Sequence, residues 1–381
     1  MGRIRRDALD LELLLLIETK EVEFTGPKRI GCFSTCYGKG NELVYRTDNS
    51  SQRYLVSTEL NEPLYCLEGF NPDTDKCLLP ITWPDFFRWI SSNEEIIHRS
   101  RLDKSKSSID FICSNAVMKH IMLSPFTEVD WIINAIKIKR TIFMFVTDID
   151  LSKKRKQQSD NNTRQNKLAY SRFKVIKKIT KQVAERESDS NTELDVLSTV
   201  SISKIGQHHV LHLGNSEFVL SKDDVEKPID QASFAALKLV PNLYKGDNKD
   251  FNIKDYRLMY WWASALLCGV ETLICGDLNE DYNLRELDVL PASILNENYL
   301  ASQKKCFIAL DKILDFIKSK VKKSNKFYDV HFNAKKASRE VTASLSVSLF
   351  EDLASSKIPV SLNMLKNLKF EATKNTSRVN A

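Results

Sequence analysis

Few residues of this chain combine the type and spacing that chemistry needs, and one of them looks misplaced. "SFAALKLV", Ser233 to Val240, reads as a buried strand, and strand alternation puts Phe234, Ala236 and Lys238 on one face. A buried ammonium needs a carboxylate or a bound anion beside it, and the same-face neighbours supply a phenyl ring and a methyl group. Carboxylates two apart, Glu128/Asp130 and Asp148/Asp150, have the spacing of a strand-borne metal site and equally that of an exposed strand. "HHVLH" points His208 and His212 the same way, with His209 opposite; without a third ligand nearby it reads as a solvated strand edge. "DLNEDYNLRELD" places Asp277, Asn279, Asp281 and Asp288 at the oxygen positions of a calcium loop. Tyr282 stands where that loop needs Gly, and Asp288 replaces the bidentate Glu, so a polar turn after a strand is expected. Cys32 and Cys36 lack a second Cys/His pair to close a zinc site.

Two basic stretches could meet phosphate. "KKRK" (Lys153, Lys154, Arg155, Lys156) suits a phosphate-contacting patch, a nuclear import signal or a solvated charge run. The segment after it carries Arg172, Lys174, Lys177, Lys178 and Lys181 around core-like Phe173, Ile176, Ile179 and Val183. That pattern gives a helix with a basic outer face, open to RNA or to water. No Gly-rich phosphate loop, Ser/His/Asp order or Cys/His nucleophile pair is recognisable.

The elements that would position these groups are short strands alternating with helices. Strands are expected at Thr141 to Val146, Val210 to Val219, Phe234 to Val240, Thr272 to Gly276 and Val341 to Leu349. One helical stripe runs through Ile109, Ile112, Cys113, Ala116, Val117 and Ile121. A second runs through Leu258, Trp261, Trp262, Ala265 and Leu266 and stops at Gly269, a left-handed cap. A third joins Cys306, Leu310, Ile313, Leu314, Ile317 and Val321. Residues 152–167 and 185–193 are polar throughout and read as exposed loops, and the tail after Lys374 as frayed. The expected class is α/β (α+β), a single domain of mixed β-sheets flanked by helices. Its parts are an N-terminal segment 1–20, a domain 21–365 with a polar insertion 152–167, and a flexible tail 366–381.

Bulk properties narrow the class without choosing a function. The 381 residues can bury a sizeable core, and 42% hydrophobic with 28% charged residues is a globular balance. The net charge of +6 is compatible with nucleic acid but too small to argue for it. Eight scattered cysteines, several in apolar runs, fit a reducing compartment. Leu11 to Ile17 is too short to span a bilayer and lacks a cleavage site, so neither a membrane association nor a signal peptide is expected. Arg6 also stands where a myristoylation signal wants Ser or Thr.

"DYRLMYWWASALLCGVETLICG" (Asp255 to Gly276) resembles the helix-plus-strand segment of the DXO decapping-exonuclease family, in which a Trp-Trp helix ends in Gly-Val before a core strand. "GPKRIGCFS" (Gly26 to Ser34) resembles that family's N-terminal strand, and "SPFTEVDWIINAIKIKRTIFMF" (Ser124 to Phe145) its Trp-containing hairpin. In order, these segments cover about Glu21 to Leu365. The resemblance implies the DXO nuclease fold and metal-dependent removal of defective RNA 5′ ends. In that chemistry clustered carboxylates hold two divalent cations, a lysine polarises the phosphate and an arginine grips the RNA.

Carried onto this sequence, the family's arginine falls at Asn115 and its helical glutamate at Ile176. The Glu-x-Asp pair falls at Glu217 and Val219, the Glu-x-Lys pair at Ala236 and Lys238, and a glutamine at Ser264. Glu217 and Lys238 are retained. Val, Ile and Ala cannot ligate a metal, so no catalysis, metal or cofactor is expected, and Glu217 is the expected counter-charge for Lys238. Lys153, Lys154, Arg155, Lys156, Lys174, Lys177, Lys178 and Lys238 are the candidate RNA contacts. A degenerate family member of this kind implies a nuclear factor that shields nascent transcripts, among them piRNA precursors, from 5′ degradation and termination. Its implied partners are a heterochromatin complex of the Rhino and Deadlock type and nascent RNA. A protein scaffold without RNA contact, or a nuclease with a site rebuilt from Glu128/Asp130 or Asp148/Asp150, are the alternatives.

Overall fold

Among the described residues, two large mixed β-sheets and one two-stranded antiparallel pair (Tyr244–Lys245 with Asp250–Phe251) are formed, and the path between the large sheets explains where the chemistry sits. The computed structural model describes residues 8–18, 20–37, 43–72, 83–99, 109–147, 158–184, 194–245, 250–251, 255–295, 300–334 and 339–345. The larger sheet has ten strands, in the order Ala8–Asp10, Glu340–Leu345, Phe327–Asn333, Trp131–Ile138, Thr141–Thr147, Phe111–Ser114, His208–Ser216, Val196–Ile205, Phe24–Tyr37 and Leu43–Arg46. The smaller has seven, in the order Leu64–Tyr65, Asn283–Pro291, Val270–Leu278, Phe234–Pro241, Phe218–Val219, Arg53–Leu55 and Thr180–Gln182. Both mix directions: Phe111–Ser114 runs parallel to its two neighbours, and Phe234–Pro241 runs parallel to Val270–Leu278. The architecture is therefore the expected α/β single domain of mixed sheets flanked by helices.

Sequence and structure differ in four elements. The 109–121 stripe is not one helix: Phe111–Ser114 is a strand and the helix begins at Asn115. All four strand residues are buried between parallel partners, and an apolar run buried on both faces has no strand alternation to betray it. The polar stretch 152–167 is helical from Gln158, where a helix runs on to Ile179. Arg164 and Gln165 are exposed on that helix, so polar composition at these positions marks a solvated helix surface, not a loop. The basic helix expected to carry Lys181 and a core-like Val183 stops at Ile179: Thr180–Gln182 is a strand, paired with Arg53–Leu55, and Val183 is exposed. The expected strand Val210 to Val219 is two strands: His208–Ser216 ends in the larger sheet, and Phe218–Val219 opens the smaller one. Glu217 is the residue between them.

The Trp-Trp helix, Asp255–Cys268, ends as expected at Gly269, whose φ of +64° suits glycine. Trp261 and Trp262 are buried, with Trp262 edge-on to Phe307 at 5.6 Å between ring centroids. Rings of this size bury enough apolar surface to contribute about 2 to 3 kcal/mol each. Arg29 ties the sheets to this helix. Its guanidinium donates to the carbonyls of Ile229 (2.8 Å), Gly269 (2.9 Å), Ala232 (2.6 Å) and Cys268 (3.4 Å) and lies over the Phe234 ring. A Cβ at Gly269 would come 2.7 Å from Arg29 Nη1, so glycine is required there twice over. The N-terminal strand Ala8–Asp10 pairs with Glu340–Leu345, and the helix Leu11–Ile17 follows it, its N-cap Asp10 accepting from the Leu13 amide at 3.0 Å.

Candidate functional site

A cavity of about 380 Å³ opens where the two sheets diverge. Its walls come from the start of the Asn115–Met122 helix, the end of the His208–Ser216 strand, the Phe234–Pro241 strand and the Trp-Trp helix. Asn115, Glu217, Ala236, Lys238 and Ser264 all line it. Five positions carried over from the resemblance, scattered over 150 residues of sequence, thus meet around one space. Ile176 and Val219 do not line it. Each is buried in a separate apolar cluster, Ile176 with Val175 and Leu239, Val219 with Leu197 and Phe234.

Glu217 reaches the cavity because the chain changes sheets at it. One carboxylate oxygen accepts the Leu237 amide at 2.7 Å. The other is paired with the Arg172 guanidinium, which also donates to the Leu237 carbonyl at 2.5 Å. Arg172 therefore turns inward, away from the basic outer face expected of its helix. The counter-charge expected for Lys238 is engaged elsewhere.

Lys238 is half-buried and, among the described residues, makes no hydrogen bond or ion pair; its Nζ lies 5.9 Å from the Trp261 ring centroid. Burial pulls its pKa below the ordinary lysine range, with the Glu217 charge opposing and Arg172 reinforcing the shift. A second cation, unrecognised in the sequence, lies one helical turn beyond Asn115. Lys119 donates to Ser264 Oγ at 3.1 Å and lies 3.8 Å over the Tyr260 ring. Its spacing of four from Asn115 was the available signal.

Asn115 is locked. Its amide nitrogen donates to the Leu267 carbonyl at 3.1 Å and to Cys268 Sγ at 3.3 Å, and its oxygen faces His212 Nδ1 at 2.5 Å. A Cβ on Gly214 would strike that amide at 2.5 Å, so the strand leaves room for it. His212 completes the chain of bonds through Nε2 to Ser203 Oγ at 2.9 Å, and full burial drives its pKa down to about 3.

Two hard cations need several oxygen ligands, disposed on both sides of the displaced group. The residues lining this cavity do not fit that requirement. Glu217 is the one carboxylate among the described residues that line it, and both its oxygens are taken. Positive charge from Lys119, Lys238 and Arg172 surrounds it, an arrangement suited to an anion.

The other candidates fall elsewhere. Asp130 accepts the Ala334 amide at 2.8 Å, Glu128 is exposed, and neither lines the cavity. Asp148, Asp150 and Lys153 to Lys156 lie outside the described residues. Lys177 and Lys178 are exposed and Lys174 is half-buried on the helix Gln158–Ile179, where Lys174 and Lys177 lie over the rings of Tyr170 and Phe173. Asn279 Oδ1 accepts the amides of Asp281 (3.0 Å) and Asn283 (2.8 Å), the polar turn expected in place of a calcium loop. His208, His209 and His212 are not at a solvated edge: all three are buried, because their strand lies inside the ten-stranded sheet.

Comparison with known proteins agrees with this architecture. The Rai1 of Scheffersomyces stipitis, solved with (3′-NADP)+ and calcium ion, is similar at a TM-score of 0.69 and 15% identity, over 96% of this chain and 98% of that one. The Rai1 of Candida albicans, solved with pU5-Mn2+, gives 0.68 and 15%, over 92% and 95%. The Dxo1 of K. lactis, solved with manganese, gives 0.56 and 11%, over 89% and 94%. No curated protein sequence matches. At these identities the structures speak for the fold. The model of the RAI1-like PD-(D/E)XK nucleases, however, matches residues 25–355, most of the chain. This chain belongs to the RAI1-like PD-(D/E)XK nuclease family.

Proposed function

We propose that this chain is a non-catalytic member of its family, a pseudoenzyme whose cavity holds the phosphates of an RNA 5′ end without cutting them. One observation carries the reading: Glu217 is engaged by Arg172 on one oxygen and by the Leu237 amide on the other. A guanidinium seated on the carboxylate excludes a divalent cation from it, and Ala236, Val219 and Ile176 supply no replacement. Lys119 and Lys238, with few polar partners of their own, are the phosphate donors.

The C. albicans relative is solved with pU5-Mn2+, a nucleic acid and a metal together. Of that pair, the lining of this cavity favours the nucleic acid. A pure protein scaffold would have its groove filled by apolar side chains, whereas about 380 Å³ stays open here around two ammonium groups. Such a degenerate member is similar to the fly germline protein Cutoff. That resemblance carries the cellular part of the proposal. The chain acts in the nucleus, beside a heterochromatin complex of the Rhino and Deadlock type, and shields nascent piRNA precursors from 5′ degradation and termination.

The test is an end-labelled RNA bearing triphosphate, monophosphate or an unmethylated cap, incubated with the full chain in Mg²⁺ and in Mn²⁺. No release of label is expected. Turnover that scales with protein and disappears in Lys238→Ala would overturn the proposal.

A further inference from the structure

A second cluster of chemistry-bearing side chains lies away from the cavity. His208 opens its strand facing the helix Leu300–Lys320 and is 2% exposed, yet neither ring nitrogen makes a hydrogen bond. Its Nε2 lies 3.0 Å from Asp315 Oδ1 and 3.9 Å from Asp311 Oδ1, at angles that form no hydrogen bond to either. Phe111 packs edge-on against the ring at 5.5 Å between centroids and fixes its plane.

The two aspartates are four residues apart, so they project from one helix face. Their oxygens divide the work. The Oδ2 atoms face Lys312 Nζ at 3.2 and 4.0 Å, and that ammonium also reaches Glu18 at 3.6 Å. The Oδ1 atoms face the histidine. The backbone makes room for this arrangement. A Cβ at Gly206 would come 2.2 Å from Asp311 Oδ1, and Gly206 has a φ of +54°.

One donor atom from each of the three residues lies within 4.8 Å of the others. A tetrahedral zinc ion with N and O ligands at about 2.0 to 2.2 Å needs donors roughly 3.3 to 3.6 Å apart, so small side-chain movements suffice. Burial disfavours a charged imidazole at this position. A neutral imidazole facing two carboxylates lacks a cation on the inner side, and a nitrogen lone pair is what a metal takes.

We infer that His208, Asp311 and Asp315 form a site for one divalent transition-metal ion of the zinc class, stapling the helix Leu300–Lys320 to the ten-stranded sheet. Water completes the coordination from the side of Asp315, whose side chain is 55% exposed. None of the three residues lines the cavity between the sheets, so the ion is structural and independent of any phosphate bound there.

The experiment uses the full chain, dialysed against chelator and titrated with Zn²⁺ in competition with a chromophoric zinc indicator, with thermal unfolding in parallel. One equivalent of bound zinc and a raised Tm are expected. Asp315→Asn, at a partly exposed position, should weaken zinc by about tenfold or more while the metal-free protein unfolds at an unchanged Tm. Lys312→Met, which removes the competing ammonium, should tighten it. Replacing Zn²⁺ with Co²⁺ separates this site from the cysteines: ligand-field bands without a thiolate-to-cobalt charge-transfer band are expected. Absence of zinc binding, zinc binding unchanged in Asp315→Asn, or a thiolate band would each overturn the inference.

Discussion

Arg29, which is buried, and Lys238, half-buried at the cavity, are two cations treated in opposite ways. Arg29 spends its guanidinium on four backbone carbonyls and a ring face. Lys238, among the described residues, has no hydrogen-bond acceptor, and the nearest carboxylate belongs to Arg172. A satisfied buried charge holds a fold together, while an unsatisfied one costs stability and persists where a ligand supplies the missing partner. The contrast recurs along one strand. His212 has both ring nitrogens hydrogen-bonded, and His208, four residues earlier, has neither.

The largest effect should come from Arg29→Ala, which takes the guanidinium donor from the buried Ala232 carbonyl and from the part-buried carbonyls of Ile229 and Gly269. A loss on the order of 4 kcal/mol is expected in urea unfolding. A loss under about 1 kcal/mol would remove the distinction between the two cations.

Glu217→Gln should cost about 2 kcal/mol, since Arg172 loses its charge partner. The same change frees the guanidinium toward the cavity, so phosphate affinity should rise. A fall in phosphate affinity would mean that Glu217, not the cations, organises the site.

Acid should act through the buried histidines. His212 has a folded pKa of about 3 against an ordinary 6.5, and burial also lowers His208 and His120. Between those limits the unfolded chain binds more protons than the folded one, so stability must fall as pH drops from 6.5 toward 3. His212→Gln should flatten that profile, and an unchanged slope would contradict the burial argument.

Lys238→Met should change stability least, by under about 1 kcal/mol and toward greater stability, because it removes an uncompensated charge. Its wild-type signature is alkaline. With the folded pKa below 10.5, stability should rise as pH climbs toward 10.5, and the methionine variant should lose that rise. A destabilised variant would place Lys238 with Arg29.

Much of this was legible in the sequence, for identifiable reasons. The Trp-Trp helix with its glycine stop and the strand bearing Lys238 follow from periodicity and a cap. Asn115, Glu217, Ala236, Lys238 and Ser264 were found through resemblance and do meet at one cavity. What escaped depends on neighbours distant in sequence. The strand Phe111–Ser114 lies between parallel partners and so carries no alternation. Arg172 looks like one more basic residue on a solvated face until Glu217 appears beside it from another sheet. His208 gave no hint of Asp311 and Asp315, which lie about a hundred residues further on.

The claim that the cavity takes phosphate without metal is tested most directly by anisotropy of a labelled 5′-monophosphorylated RNA, titrated with the full chain in chelator and in Mn²⁺ at several salt concentrations. Equal affinity with and without Mn²⁺, weakening as salt rises, and loss of binding in the Lys119→Met, Lys238→Met double variant are expected. Binding that requires Mn²⁺, or that survives in the double variant, would contradict it.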